Sequence, residues 1–181
     1  KVSGSGSIAV NTIVANDIVL TNVRSGMKLN HGVIELSPLT ADIYGGKASG
    51  TVVLDTRPAT TICSVRARFS GVDTNKALSA TSGLKDKLYG SLSSNTDLSF
   101  ALAPSNDLAR TLNGTVSFNV LNGRLKNINI LEEIGKVGKF LGAAGQGGSD
   151  TELKKLAGTL NLKNGVANTD NLVAALNEGS V

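Results

Sequence analysis

The sequence predicts a mainly β fold: a curved, largely antiparallel meandering sheet shaped as a half-barrel or groove, with one amphipathic helix and one or two short helices packed on it. Three observations predict it. Apolar and polar residues alternate in run after run, the period of two that a half-buried strand imposes. Glycines number 21 against three prolines, and many fall between those runs, where tight turns need a residue tolerant of positive φ. In one run the apolar residues change parity midway. A strand does this by taking in an extra residue, which also bends the sheet, or by breaking.

At 181 residues the chain suits a single domain over 1–181 with a core of its own. Trp is absent and aromatics make up 3%, so that core is aliphatic. The net charge of +4 is spread along the chain. Basic residues interleaved with aromatics, the pattern that stacks bases, are missing, which argues against nucleic acid as a partner. A weak attraction to anionic headgroups fits the charge. Cys63 has no second cysteine to pair with and reads as a small apolar filler. No signal peptide is present, nor any apolar run near the ~20 residues of a spanning helix. The abrupt opening at Lys1-Val2-Ser3-Gly4 and close at Glu178-Gly179-Ser180-Val181 suggest a piece of a longer protein.

Ser7 to Val14 begins the sheet, with Ile8, Val10 and Val14 on one parity. Ile18 to Leu29 follows, with Val19, Val23, Met27 and Leu29 on one face; Ile18 and Leu20 break the alternation, so the first part is expected to be covered on both sides. Asn30-His31-Gly32 makes a hairpin turn. In the next run Ile34 and Leu36 share one parity and Leu39, Ala41 and Ile43 the other, so a bulge is predicted at Ser37-Pro38. Tyr44-Gly45-Gly46 turns the chain into Ala48, Gly50, Val52 and Leu54, with Lys47, Ser49, Thr51 and Asp55 outward.

Thr61 to Phe69 carries Cys63, Val65, Ala67 and Phe69 inward and Ser64, Arg66 and Arg68 onto a solvated face. Asp73 suits an N-cap for a short helix through Leu78. Leu88 to Leu102 is the cleanest strand, dry along Leu88, Leu92, Leu98, Phe100 and Leu102 and wet along Tyr89 to Ser99. After a short helix or turn at Pro104, Leu112 opens a strand with Val116, Phe118 and Val120, turned at Asn122-Gly123. Asn129 to Leu141 has a helical stripe of Ile130, Ile134, Val137 and Leu141, expected to pack on the sheet. Gly142 to Asp150 reads as a loop. Leu112-Asn113-Gly114-Thr115 is echoed by Leu156-Ala157-Gly158-Thr159, each followed by an Asn-Gly pair, a weak internal repeat.

Chemistry is sparse. His31, the sole histidine, sits in a turn; no Gly-x-Ser-x-Gly elbow occurs, and no acids or thiols have metal-ligand spacing. Gly142 to Ser149 follows a helix and lacks the lysine of a phosphate loop. The residues suggest neither an enzyme nor a catalytic, metal or cofactor site.

Gly32-Val-Ile-Glu-Leu-Ser-Pro-Leu-Thr-Ala-Asp-Ile-Tyr-Gly-Gly-Lys-Ala-Ser-Gly50 resembles the C-terminal region of the AsmA family of Gram-negative envelope proteins. Phe69 to Asp73 leading to Ala77-Leu78, Leu112 to Thr115 running to Asn122 through Ile128, and Thr151 through Gly158 to Lys163–Val166 follow in the same order. The resemblance implies a non-enzymatic domain on the periplasmic face of the inner membrane, held by an N-terminal anchor that this sequence lacks. It implies a part in outer-membrane biogenesis, through phospholipid transport between inner and outer membranes along a hydrophobic β-groove, as in the related TamB-like proteins. Partners would be phospholipid or another acyl-chain lipid, with envelope proteins as a further class. The candidate lipid-facing residues are Val52, Leu54, Leu92, Leu98, Phe100, Leu102, Val116, Phe118, Leu160 and Leu162. The alternative is a structural or docking module for outer-membrane protein assembly, which a closed core with no groove would favour.

Overall fold

The computed structural model describes residues 2–15, 17–81, 85–102, 108–126 and 150–176. They form β1 (Ser3–Ala15), β2 (Ile18–Asn30), β3 (Val33–Ile43), β4 (Gly46–Asp55), β5 (Thr61–Asp73), α1 (Thr74–Thr81), β6 (Leu88–Leu102), β7 (Asn113–Leu125), β8 (Thr151–Lys163), β9 (Val166–Asn168) and β10 (Val173–Leu176). A 3-10 turn, Leu108–Thr111, precedes β7. The strands make one antiparallel sheet in the order β1 to β8, with β9 and β10 pairing successive parts of the far side of β8. The sheet is open, not closed into a barrel. The predicted helix Asn129–Leu141 and most of the loop after it lie outside the described residues.

Local chemistry explains the meander. His31-Gly32, Tyr44-Gly45 and Asn164-Gly165 each hold two successive positive φ angles, 48° and 83°, 46° and 81°, 50° and 79°. That is the turn whose twist matches the strands it joins. The Ser37-Pro38 bulge is present and registers against both neighbours. Met27 pairs Leu36 while Ser25 pairs Leu39, and on the other side Val52 pairs Leu36 while Gly50 pairs Leu39. The extra residue therefore puts Ile34, Leu36, Leu39, Ala41 and Ile43 on one face despite their mixed parity. Room for it comes from Gly26, where a Cβ would stand 2.6 Å from the Ser37 carbonyl oxygen.

Three further bulges work in the same way. On β2, Thr21 pairs Asp42 and Arg24 pairs Thr40, with Asn22 between them at φ 52°. Leu20 and Val23 thereby share a face, so the expected double coverage gives way to a bulge, and Val19 lies at the exposed side. On β5, Gly71 at φ 65° separates Phe69 from Val72. On β7, Ser91 pairs Leu121 while Tyr89 pairs Arg124, with Asn122 at φ 50°. Asn122-Gly123 is therefore a bulge within β7, not a turn. The echo of Leu112–Thr115 in Leu156–Thr159 is not a structural repeat either: one opens β7 and the other lies mid-strand in β8.

Asp73 caps α1 as its side chain predicts, accepting from the Lys76 backbone N–H at 3.1 Å. Thr74, buried, donates its hydroxyl to the Gly90 carbonyl at 2.9 Å and ties the helix to β6. The helix touches β6 most, and also β5 and β2. In a flat sheet β2 and β6 would stand about 19 Å apart, four spacings of ~4.8 Å, too far for one helix ~10–12 Å across to meet both sides. The sheet curls around α1. Its buried centre is Val23, Ala41 and Ala48, flanked by Leu20, Ile43 and Phe69.

Candidate functional site

The register assigns every residue of the central strands to a face. Ala48, Gly50, Val52 and Leu54 of β4 stand beside Phe69, Ala67, Val65 and Cys63 of β5. Those in turn stand beside Ser94, Thr96, Leu98 and Phe100 of β6, with Val72 beside Leu92. On β7 and β8 the same face continues through Val116 and Leu160, Phe118 and Gly158, Val120 and Leu156. This inner face is aliphatic with a few Ser and Thr. The outer face of the same strands carries Arg66 opposite Asp97, with Nε to Oδ2 at 3.2 Å, and Arg68 donating to Asn95 at 3.0 Å.

All ten sequence-predicted residues lie on the inner face by this register: Val52, Leu54, Leu92, Leu98, Phe100, Leu102, Val116, Phe118, Leu160 and Leu162. None of the ten is fully buried, and Leu102 at the strand end is 42% exposed. Where the sheet curls over α1, the inner face encloses a groove of about 740 Å³. Val52, Leu92 and Phe100 line it; the other seven extend the apolar face beyond it. Much of the rest of its wall comes from residues that sequence reasoning did not choose, among them Ile18 and Leu20 of β2, Leu39 and Ile43 of β3, and Ala77 of α1. Their signal was the parity change on β2 and β3, which marks the strands that bend.

Gly50 forms part of the floor. A Cβ there would overlap the Arg66 carbonyl oxygen and stand 2.8 Å from the Ala67 Cα, so the backbones of β4 and β5 close up only because the side chain is absent. Cys63 is buried on the inner face opposite Leu54 and Phe100, and burial raises its thiol pKa, which keeps it protonated and unreactive. Titratable groups with altered pKa values otherwise sit on the surface. Lys47 and Asn22 hold the Asp42 carboxyl below its usual range, and the Arg57 guanidinium holds Asp55 down to about 2. His31 is exposed in its turn, bonded to the Asn30 side-chain oxygen. Among the described residues no three His, Cys, Asp or Glu side chains gather to hold a metal ion, and no helix is long and apolar enough to cross a membrane. The apolar lining of the groove can shelter an apolar chain from water.

Comparison with known proteins places these observations in a family. The profile of the AsmA family matches residues 4–172, nearly the whole chain. Neither the curated proteins nor the solved structures yield a match.

Proposed function

We propose, because the chain belongs to the AsmA family and carries an open apolar groove, that it is a non-enzymatic carrier surface for the acyl chains of phospholipid. Membership of the family is consistent with outer-membrane biogenesis or lipid transport in general, and its proteins are envelope-associated in Gram-negative bacteria. On this reading the domain stands on the periplasmic face of the inner membrane and passes phospholipid toward the outer membrane, with no bond made or broken.

The observation that carries the reading is the groove itself, about 740 Å³ and walled mainly by aliphatic and aromatic side chains. That volume is within the ~300–1,000 Å³ usual for small-molecule sites. Water in such a groove gains few hydrogen bonds, whereas an acyl chain recovers about 0.8 kcal/mol per buried methylene. The apolar face continues past the groove over β7 and β8, which supports a conduit over a single closed pocket. An open groove also favours lipid over the alternative of a closed docking module.

The test is direct. Protein purified from cells is extracted for mass spectrometry and titrated with a fluorescent phospholipid. Co-purified phospholipid together with saturable binding is the expected result; absence of both removes the reading.

A further inference from the structure

The two edges of the sheet are built differently. On one side β8 is covered by β9 and β10, three and four residues long, and β10 slips register between Ala175 and Leu176. Short, irregular edge strands of this kind resist further pairing. On the other side stands β1, 13 residues that include no charged residue and no proline. Its register with β2 runs unshifted from the pair Ser3 and Asn30 to the pair Ala15 and Ile18. Among the described residues no strand pairs its far side, and every residue from Val2 to Val14 except Ile8 is exposed.

The backbone fixes what that edge offers. The Val2 carbonyl accepts from the His31 N–H at 3.1 Å, so even-numbered residues at this end of β1 aim their hydrogen-bonding groups at β2. Ser3, Ser5, Ser7 and Ala9 aim theirs outward. Gly4, Gly6, Ile8 and Val10 lie on the inner face, beside Leu29, Met27, Ser25 and Val23. Nothing stands within 4 Å of where a Cβ would be on Gly4 or Gly6.

We propose that this edge pairs with the same edge of a second copy of the chain, antiparallel about a two-fold axis at Ser7. That register sets Ser5 against Ala9, Gly6 against Ile8 and Gly4 against Val10 of the copy. Each glycine leaves room beside a branched side chain, and no like charges meet. The axis stands perpendicular to the sheet, so both inner faces look the same way and the apolar surface continues across the join. Among the described residues each chain has one such edge, so the assembly closes as a dimer and does not grow into a filament. Size sets its strength. Residues 2–12 at ~3.4 Å each, in a sheet ~10 Å thick, cover roughly 750 Å² over the two copies together, below the ~1,200 Å² at which stable complexes begin. The dimer is therefore weak, micromolar or looser, and forms when chains are concentrated.

Sedimentation velocity of the purified chain, from micromolar to millimolar concentration, is expected to show monomer passing to dimer and nothing larger. Ser7→Pro removes the N–H at the axis, which faces away from β2, and Ser7→Lys sets two ammonium groups opposite each other. Both should stay monomeric throughout, with thermal unfolding of the dilute chain close to the wild type. Ser7→Cys brings two thiols opposite at a Cα separation of ~5.5 Å, within disulfide reach, and should crosslink on mild oxidation. Ser3→Cys, whose two copies stand roughly 27 Å apart along the strands, should not. Cys63 is buried and stays out of the reaction. A wild type that remains monomeric at every concentration overturns the proposal and leaves the edge to a strand of another protein. A dimer that survives both Ser7→Pro and Ser7→Lys places the contact elsewhere and overturns it too, as does crosslinking through Ser3→Cys in preference to Ser7→Cys. The phospholipid titration reads the groove separately, so either reading can fail without the other.

Discussion

The two faces of β4 to β7 are made by the same backbone and differ in almost everything else. The inner face carries Val52, Val65, Leu98 and Val116 and bends into a groove; the outer face carries Thr51, Arg66, Asp97 and Thr115, a row of polar side chains in register. The comparison teaches that facing, not residue type alone, sets a side chain's task. Leu121 is as apolar as its neighbour Val120, yet it is 44% exposed on the outer face while Val120 is 2% exposed on the inner one.

The largest effect should come from making one substitution at those two neighbours. Val120→Lys places an unpaired charge in a buried site and is expected to cost at least about 4 kcal/mol, while Leu121→Lys changes stability by within about 0.5 kcal/mol. Chemical denaturation of both variants measures it, and equal losses would break the assignment of faces. Next in size is Gly50→Ala. Its new methyl must push against the β5 backbone, so a loss of about 2 kcal/mol is expected, the usual scale of overpacking, and on the proposed function the fluorescent phospholipid should bind more weakly.

The outer face is expected to be tolerant. Arg66→Ala removes an exposed pair with Asp97 and should cost under about 1 kcal/mol, less in high salt. The smallest effect is a matter of pH. Asp55 titrates at about 2 in the folded chain because Arg57 donates to it, against an ordinary 3.8. A depressed carboxyl contributes stability that is fully present above its unfolded value and is lost as pH falls from about 4 toward 2. Thermal unfolding of the wild type and Asp55→Asn should therefore differ slightly at pH 6 and converge below pH 2; a constant difference would show that the ion pair contributes nothing there.

How much of this was legible in the sequence depends on which residues are asked. Alternation in β4, β5 and β6 assigned faces correctly because a strand has only two. The Ser37-Pro38 bulge was legible because a parity change and a proline coincide. The bulges at Asn22, Gly71 and Asn122 carried the same parity change, from Leu20 to Val23, Phe69 to Val72 and Val120 to Leu125, but without a proline. Asn122-Gly123 misled for a local reason. A positive φ at Asn suits a hairpin turn and a bulge equally well, and only the continued pairing of Arg124 with Tyr89 and with Glu152 decides between them.

By itself, then, the sequence determined the class of fold, its meandering antiparallel character and which side chains share a face in β4, β5 and β6, because these follow from a period of two and from short-range turn chemistry. Tertiary structure alone decided where the groove lies. The curl that brings Ile18 and Leu20 of β2 across from Leu92 and Phe100 of β6 is the summed twist of several bulged strands around a short helix. No single stretch of sequence encodes that sum, so three of the predicted residues line the groove and the remaining seven continue its apolar face.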